Sequence, residues 1–168
     1  MRVGEPLEEV VGRLLLGRGM RVAVAESCTG GLIMHRLTNV SGSSRYFLGG
    51  VVAYANEVKM QVLGVPEETL AAHGAVSAET AQAMAEGVRR LFGADVALAV
   101  TGIAGPTGGT PEKPVGLTYI ALATEERTFW REYRWTGSRG ENKETSARVA
   151  LELLCHFLEL QAGGGLRV

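Results

Sequence analysis

The chain has 168 residues, 46% hydrophobic and 21% charged, which suits one ordinary domain that buries roughly two-thirds of its unfolded surface without staples. Seventeen Lys and Arg against eighteen Asp and Glu leave a net charge of −1. No global field draws it onto a phosphate backbone, so nucleic acid is not an expected partner. Cys28 and Cys155 are too few for a disulfide framework and suit a reducing compartment. Glu5, Glu8 and Glu9 stand where a signal peptide would be apolar, and no run is long enough to span a bilayer. The expectation is a cytoplasmic protein with no membrane contact.

Leu7, Val10, Val11, Leu14 and Leu15 recur at helical spacing, with Pro6 suited to the first turn and Gly17 and Gly19 ending it. Val22–Ala25 is a short apolar run that predicts a buried strand. Ser27-Cys28-Thr29-Gly30-Gly31 then turns the chain into a helix containing Leu32, Ile33, His35 and Leu37. Residues 46–54 predict a second strand, bent at its glycines. Asn56 to Leu63 reads as a short helix stopped by Gly64, and Pro66 opens another near Thr69. Ser77 caps an amphipathic helix with Ala81, Met84, Ala85, Val88, Leu91 and Phe92 on one face. Val96–Val100 predicts another buried strand, followed by a glycine- and proline-rich loop from Thr101 to Pro114. Strands near 115–124 and 128–135 meet at Glu125-Glu126 as a hairpin. The last helix carries Ala147, Ala150, Leu151, Leu154, Phe157 and Leu158. Strands interleaved with helices, plus one hairpin, predict a layered α/β domain with a mixed sheet over residues 1–160. Residues 161–168, with Gly163–Gly165, read as a flexible tail.

Four stretches could carry chemistry. Glu26 to Gly31 follows a buried strand, where ligands of open α/β sheets bind and helix N–H groups are free. Thr29, Gly30 and Gly31 serve equally as a cap and a turn or as a ligand-binding loop. In Tyr54-Ala55-Asn56-Glu57-Val58-Lys59 a short helix from Asn56 puts Lys59 one turn in; read alone, Lys59 is a solvated lysine. Thr101-Gly102-Ile103-Ala104-Gly105-Pro106 repeats the hydroxyl-plus-glycine pattern at a second strand end. Two such ends favour a ligand cleft, as does a loop well beyond the usual 4–6 residues or so. Gly137-Ser138-Arg139 opens the last helix, where Arg139 is a phosphate partner or a plain surface arginine. His35, His73 and His156 form no ligand spacing, so neither a metal nor another cofactor is expected.

The blocks A-E-S-C-T-G-G at 25–31, G-S-S-x-x-F at 42–47, Y-x-N-x-x-K at 54–59, H-G-A-V-S at 73–77, T-G-I-A-G-P at 101–106 and K-P-V-G at 113–116 resemble the CinA C-terminal domain family. The resemblance runs in order through residues 6–160. It implies a three-layer α/β/α sandwich with a mixed, mostly parallel sheet, and a homodimer. The family includes a deamidase of nicotinamide mononucleotide, so the implied reaction is hydrolysis of that nucleotide's carboxamide to nicotinate mononucleotide and ammonia. By resemblance the nucleophile falls on Ser27, with Lys59 and Tyr54 as its partners. Thr101 and Arg139 fall on ligand-binding positions, and Thr29, Gly30, Gly31, Asn56, Gly102, Ile103, Ala104 and Gly105 complete the expected substrate contacts. Many members carry a further N-terminal domain, and the expectation for this sequence is the C-terminal-like domain alone. Two other readings stay open: a nucleotide-binding module of the same fold without catalysis, and Cys28 as the nucleophile.

Overall fold

The computed structural model describes residues 4–162. Helix α1 (Leu7–Arg18) starts after Pro6, keeps Gly17 inside its last turn and ends at a left-handed Gly19. Strand β1 (Val22–Glu26) is followed by α2 (Leu32–Thr38), a single 3-10 turn at Ser43–Arg45 and strand β2 (Phe47–Val52). Two short helices, α3 (Asn56–Gln61) and α4 (Glu67–His73), lead to α5 (Ala78–Phe92), whose first turn is capped by Ser77 accepting the Thr80 N–H at 3.1 Å. Strand β3 (Val96–Gly102), the hairpin of β4 (Leu117–Ala123) and β5 (Thr128–Arg134), and α6 (Arg139–Ala162) complete the chain. Helix α6 thus takes in residues 161 and 162, and the rest of the expected tail lies outside the described residues.

The strand order is β2-β1-β3-β4-β5. β1 is parallel to both neighbours, whereas β4 is antiparallel to β3 and β5, so four of the five strands point the same way. The three central strands are largely apolar, and their apolar residues alternate in size. Val22, Val24, Val96, Leu98, Val100, Ile120 and Leu122 pack with α1, α2 and α6; Ala23, Ala25, Ala97, Ala99, Ala121 and Ala123 pack with α5. Side chains alternate faces along a strand, so the V-A-V-A pattern gives one face bulk and lets a helix lie close on the other. On α5, Gly87 lies against the connection after α3, where an added Cβ would fall 1.9 Å from the Leu63 carbonyl oxygen. Leu91, expected on the buried face of α5, is instead 52% exposed. The helix touches the sheet along a narrow stripe of small residues, and Leu91 falls outside it.

This architecture aims the C-terminal ends of β1, β2 and β3 at the same edge. The turns after β1 and β3 and the end of β2 meet there.

Candidate active site

Ser27 continues β1 by one residue, donating its N–H to Val100 O at 2.9 Å, and is buried. Beyond β2 the chain turns into α3, leaving the carbonyls of Ala53 and Tyr54 without ladder partners. Lys59 supplies donors from one turn into α3. Its Nζ lies 2.7 Å from Ala53 O, 3.1 Å from Tyr54 O and 3.1 Å from Ser27 Oγ. The side chain is only 1% exposed, so the solvated reading is overturned. Buried main-chain carbonyls require donors, and here they fix a lysine against a serine.

Burial pushes the Lys59 amine below its ordinary pKa, with the neighbouring Cys28 opposing that in part. An amine nitrogen has three directions besides its carbon. The two carbonyls take two of them in either protonation state, and the third faces Ser27. In the neutral form that direction is the lone pair, aimed at the Ser27 hydroxyl. Proton loss therefore leaves a base in place with no movement of heavy atoms.

The turn after Ser27 is held from beneath by Glu26, which is fully buried. Its carboxylate accepts the N–H groups of Gly31 and Met34, each at 2.9 Å. The start of α2 was expected to offer free N–H groups to an anion; instead an internal carboxylate caps it. The Gly30 N–H goes to Ser27 O. This leaves the amides of Cys28 and Thr29 as the donors of the turn with no acceptor among the described residues. Gly31 makes the turn at φ +100°, where an L side chain would be strained. The Cys28 thiol is buried, and burial pushes it up to about 12. A thiol held protonated is a poor nucleophile, which weighs against Cys28 as the attacking group.

Ser27, Cys28, Tyr54, Lys59, Ala75, Val76, Thr101, Gly102, Ala104 and Arg139 line one cleft of about 190 Å³. Thr101 Oγ1 donates to Ala75 O at 2.7 Å. Arg139 donates to Gly105 O at 2.8 Å and to the Tyr54 hydroxyl at 3.2 Å, spanning the mouth. Tyr54 is 62% exposed; its carbonyl meets Lys59 while its phenol meets Arg139. Thr29, Gly30 and Gly31 line an adjoining pocket. Asn56 is exposed at the start of α3 and lines neither. Ile103 exchanges main-chain hydrogen bonds with the strand side of the loop, through Leu117 O and Gly116 N–H.

Sequence reasoning missed the residues that hold this site together. Asn142, buried on α6, donates to Ala104 O and accepts the Gly137 N–H, each at 3.0 Å. Lys113 donates to His73 O and Val76 O, tying the block at 113–116 to the block at 73–77. No local periodicity marks these side chains, because each serves a backbone group remote in sequence. Among the described residues no group of three or more His, Cys, Asp or Glu could hold a metal ion, and no helix is long and apolar enough to cross a membrane.

The family model described as the CinA C-terminal domain matches residues 4–158. The chain belongs to the CinA C-terminal domain family. A putative competence-damage inducible protein of Desulforamulus reducens is 54% identical over 155 residues, 92% of this chain and 38% of that protein. A CinA-like protein of Thermotoga maritima is 51% identical with the same coverage. The chain thus spans under two-fifths of the length of these curated relatives. Among solved structures, a competence/damage inducible protein of Agrobacterium tumefaciens is 42% identical, with a TM-score of 0.86 over 95% of this chain and 99% of that one. The competence damage-inducible protein A of Klebsiella pneumoniae is 37% identical, with a TM-score of 0.88 over 91% and 95%. The three-layer CinA fold expected from the motifs is the fold observed. The names of these relatives speak of competence and damage, or of likeness to CinA, and state no reaction.

Proposed function

We propose that this CinA domain hydrolyses the carboxamide of nicotinamide mononucleotide, releasing ammonia and nicotinate mononucleotide. The observation that carries the reading is the buried Lys59 amine 3.1 Å from Ser27 Oγ, its other two directions fixed on Ala53 O and Tyr54 O. A site that only binds has no need of a nucleophile paired with a buried base. The motif resemblance supplies the substrate.

Ser27 Oγ attacks the carboxamide carbon while neutral Lys59 takes the hydroxyl proton. The negative charge that develops on the amide oxygen is met by the free N–H groups of Cys28 and Thr29, an arrangement typically worth about 3–4 kcal/mol per donor in other enzymes. When the tetrahedral adduct collapses, the proton on Lys59 goes to the departing nitrogen, which leaves as ammonia. Water then attacks the Ser27 ester, giving one proton to Lys59, which returns it to Ser27 Oγ as the acid departs. In the first step Tyr54, which lines the same cleft and whose phenol accepts from Arg139, would hold or relay the Lys59 proton to the departing nitrogen.

Ammonia release from nicotinamide mononucleotide by the purified chain, coupled to identification of the acid product, tests the reading. Absence of turnover in the wild type, or full turnover in Ser27→Ala, overturns it.

A further inference from the structure

Ala75 and Val76 share the reactive cleft with Ser27, and they belong to the connection between α4 and α5 rather than to either helix. Main-chain carbonyls are ordinarily satisfied within a helix or a ladder. Here the four carbonyls from His73 to Val76 have no main-chain donor among the described residues. A side chain meets each of them. Ser77 Oγ and Thr80 Oγ1, at the start of α5, donate to Gly74 O at 3.1 and 2.7 Å. Thr101 Oγ1 donates to Ala75 O at 2.7 Å from the end of β3. Lys113 Nζ donates to the remaining two, His73 O and Val76 O, the latter at 2.8 Å. This wall of the cleft therefore hangs from the side chains of three separate segments.

Lys113 brackets the connection, holding the last residue of α4 and the residue just before the Ser77 cap of α5. Its ammonium has no carboxylate partner among the described residues, so both bonds to the wall are charge-assisted and undivided. It lies over Gly74, 3.1 Å from where a Cβ would be, and Gly74 has φ +76°. A side chain at Gly74 would strain the backbone and crowd the lysine. Lys113 is itself fixed by a local turn: Thr110 N–H donates to Lys113 O at 2.8 Å, and Lys113 N–H to Thr110 Oγ1 at 3.0 Å. The long glycine- and proline-rich loop after β3 thus ends by delivering one lysine to the wall, although Lys113 does not line the cleft. We propose that Lys113 is a positioning residue: by setting how close the Ala75–Val76 wall stands to Ser27, it decides which acyl groups fit beside the nucleophile. In a cleft of about 190 Å³ there is little slack, and a misplacement of about 1 Å can cost about a hundredfold in rate. The inference takes its reaction from the amidohydrolase reading and its wall from the hydrogen bonds alone.

Two measurements keep the inference and that reading apart. Methyl NMR of the intact chain needs no turnover. In Lys113→Met the order parameters of the Ala75 and Val76 methyls should fall, while those of Ala97 and Ala99 in β3 stay at their wild-type values. In turnover, Lys113→Met should lower kcat/KM for nicotinamide mononucleotide about tenfold to a hundredfold, and lower it less for an analogue with a methyl group added to the ring. The preference for the unsubstituted ring therefore shrinks, which a loss of folded protein alone does not produce. Lys113→Arg, whose fork can serve two acceptors, should restore most of both. Lys113→Gln keeps one donor and should give a smaller loss in the same direction, which preserves the test if Lys113→Met does not fold. Methyls that loosen in a chain that releases no ammonia keep the wall and overturn the amidohydrolase. Unchanged Ala75 and Val76 methyls, or a wild-type ring preference in a variant whose wall has loosened, overturn the inference and leave the amidohydrolase standing.

Discussion

The turns after β1 and β3 carry nearly the same signature, a hydroxyl residue at a strand end followed by glycines, yet they do opposite things. Ser27 keeps its hydroxyl proton available and meets a buried amine. Thr101 gives its proton to Ala75 O, and its loop is tied down by Asn142, Lys113 and Arg139. On the proposed function the first turn reacts and the second is scaffold. What separates them is the partner of the hydroxyl, a fact that lies outside either motif.

The sharpest way to break this comparison is Ser27→Ala. Turnover should fall roughly a thousandfold or more, as for nucleophiles and bases that act as a unit, while the melting temperature barely moves. Next comes Glu26→Ala, which leaves the Gly31 and Met34 amides unpaired in the interior. It should cost about 3 kcal/mol in chemical denaturation, and Glu26→Gln less, because one oxygen still accepts. A Glu26→Ala protein as stable as wild type would mean that the turn after β1 holds itself.

Lys59 gives the third test, through pH. Its amine is lowered by burial, so kcat/KM should rise about tenfold per pH unit up to that lowered pKa and level off above it. The sign for stability follows from the same shift. Between the lowered folded-state pKa and the higher unfolded one, the unfolded chain binds more protons. Stability should therefore climb with pH in that window, by up to about 1.4 kcal/mol per unit, and be flat below it. Lys59→Met should abolish both slopes. A flat rate profile together with an active Lys59→Arg would leave only a charge-supplying lysine, since guanidinium stays protonated.

Smaller effects fall on the scaffold side. Thr101→Val removes the donor to Ala75 O at nearly constant volume and should cost about 1 kcal/mol, with far less loss of turnover than Ser27→Ala. Cys28→Ser should keep most activity, and alkylating reagents near neutral pH should leave the enzyme working, because the thiol is held protonated. Inactivation that maps to Cys28 would reverse the assignment of the nucleophile.

The elements themselves were legible because their signals are local. The periodic face of α1, the left-handed stop at Gly19, the Ser77 cap and the Glu125-Glu126 hairpin are each written within a few residues. Pairing the two hydroxyl-glycine turns into one cleft was legible too, since both follow buried strands. What stayed hidden was every contact between a side chain and a distant backbone group. Glu26 capping α2, Lys59 bridging the end of β2, Lys113 reaching the start of α5 and Asn142 holding the β3 turn share no periodicity or composition signal.

The alanine rows of β1, β3 and β4 act as a shim of fixed thickness between the sheet and α5. Helix α5 is also held against the Leu63 main chain at Gly87, and its leading end carries the Gly74–Ser77 connection that brings Ala75 and Val76 into the cleft. A methyl group or two added at Ala97 or Ala99 would therefore be felt at the rim opposite Ser27 as well as in the core. The shape of the cleft is thus set in part from inside the sandwich, by residues that do not line it.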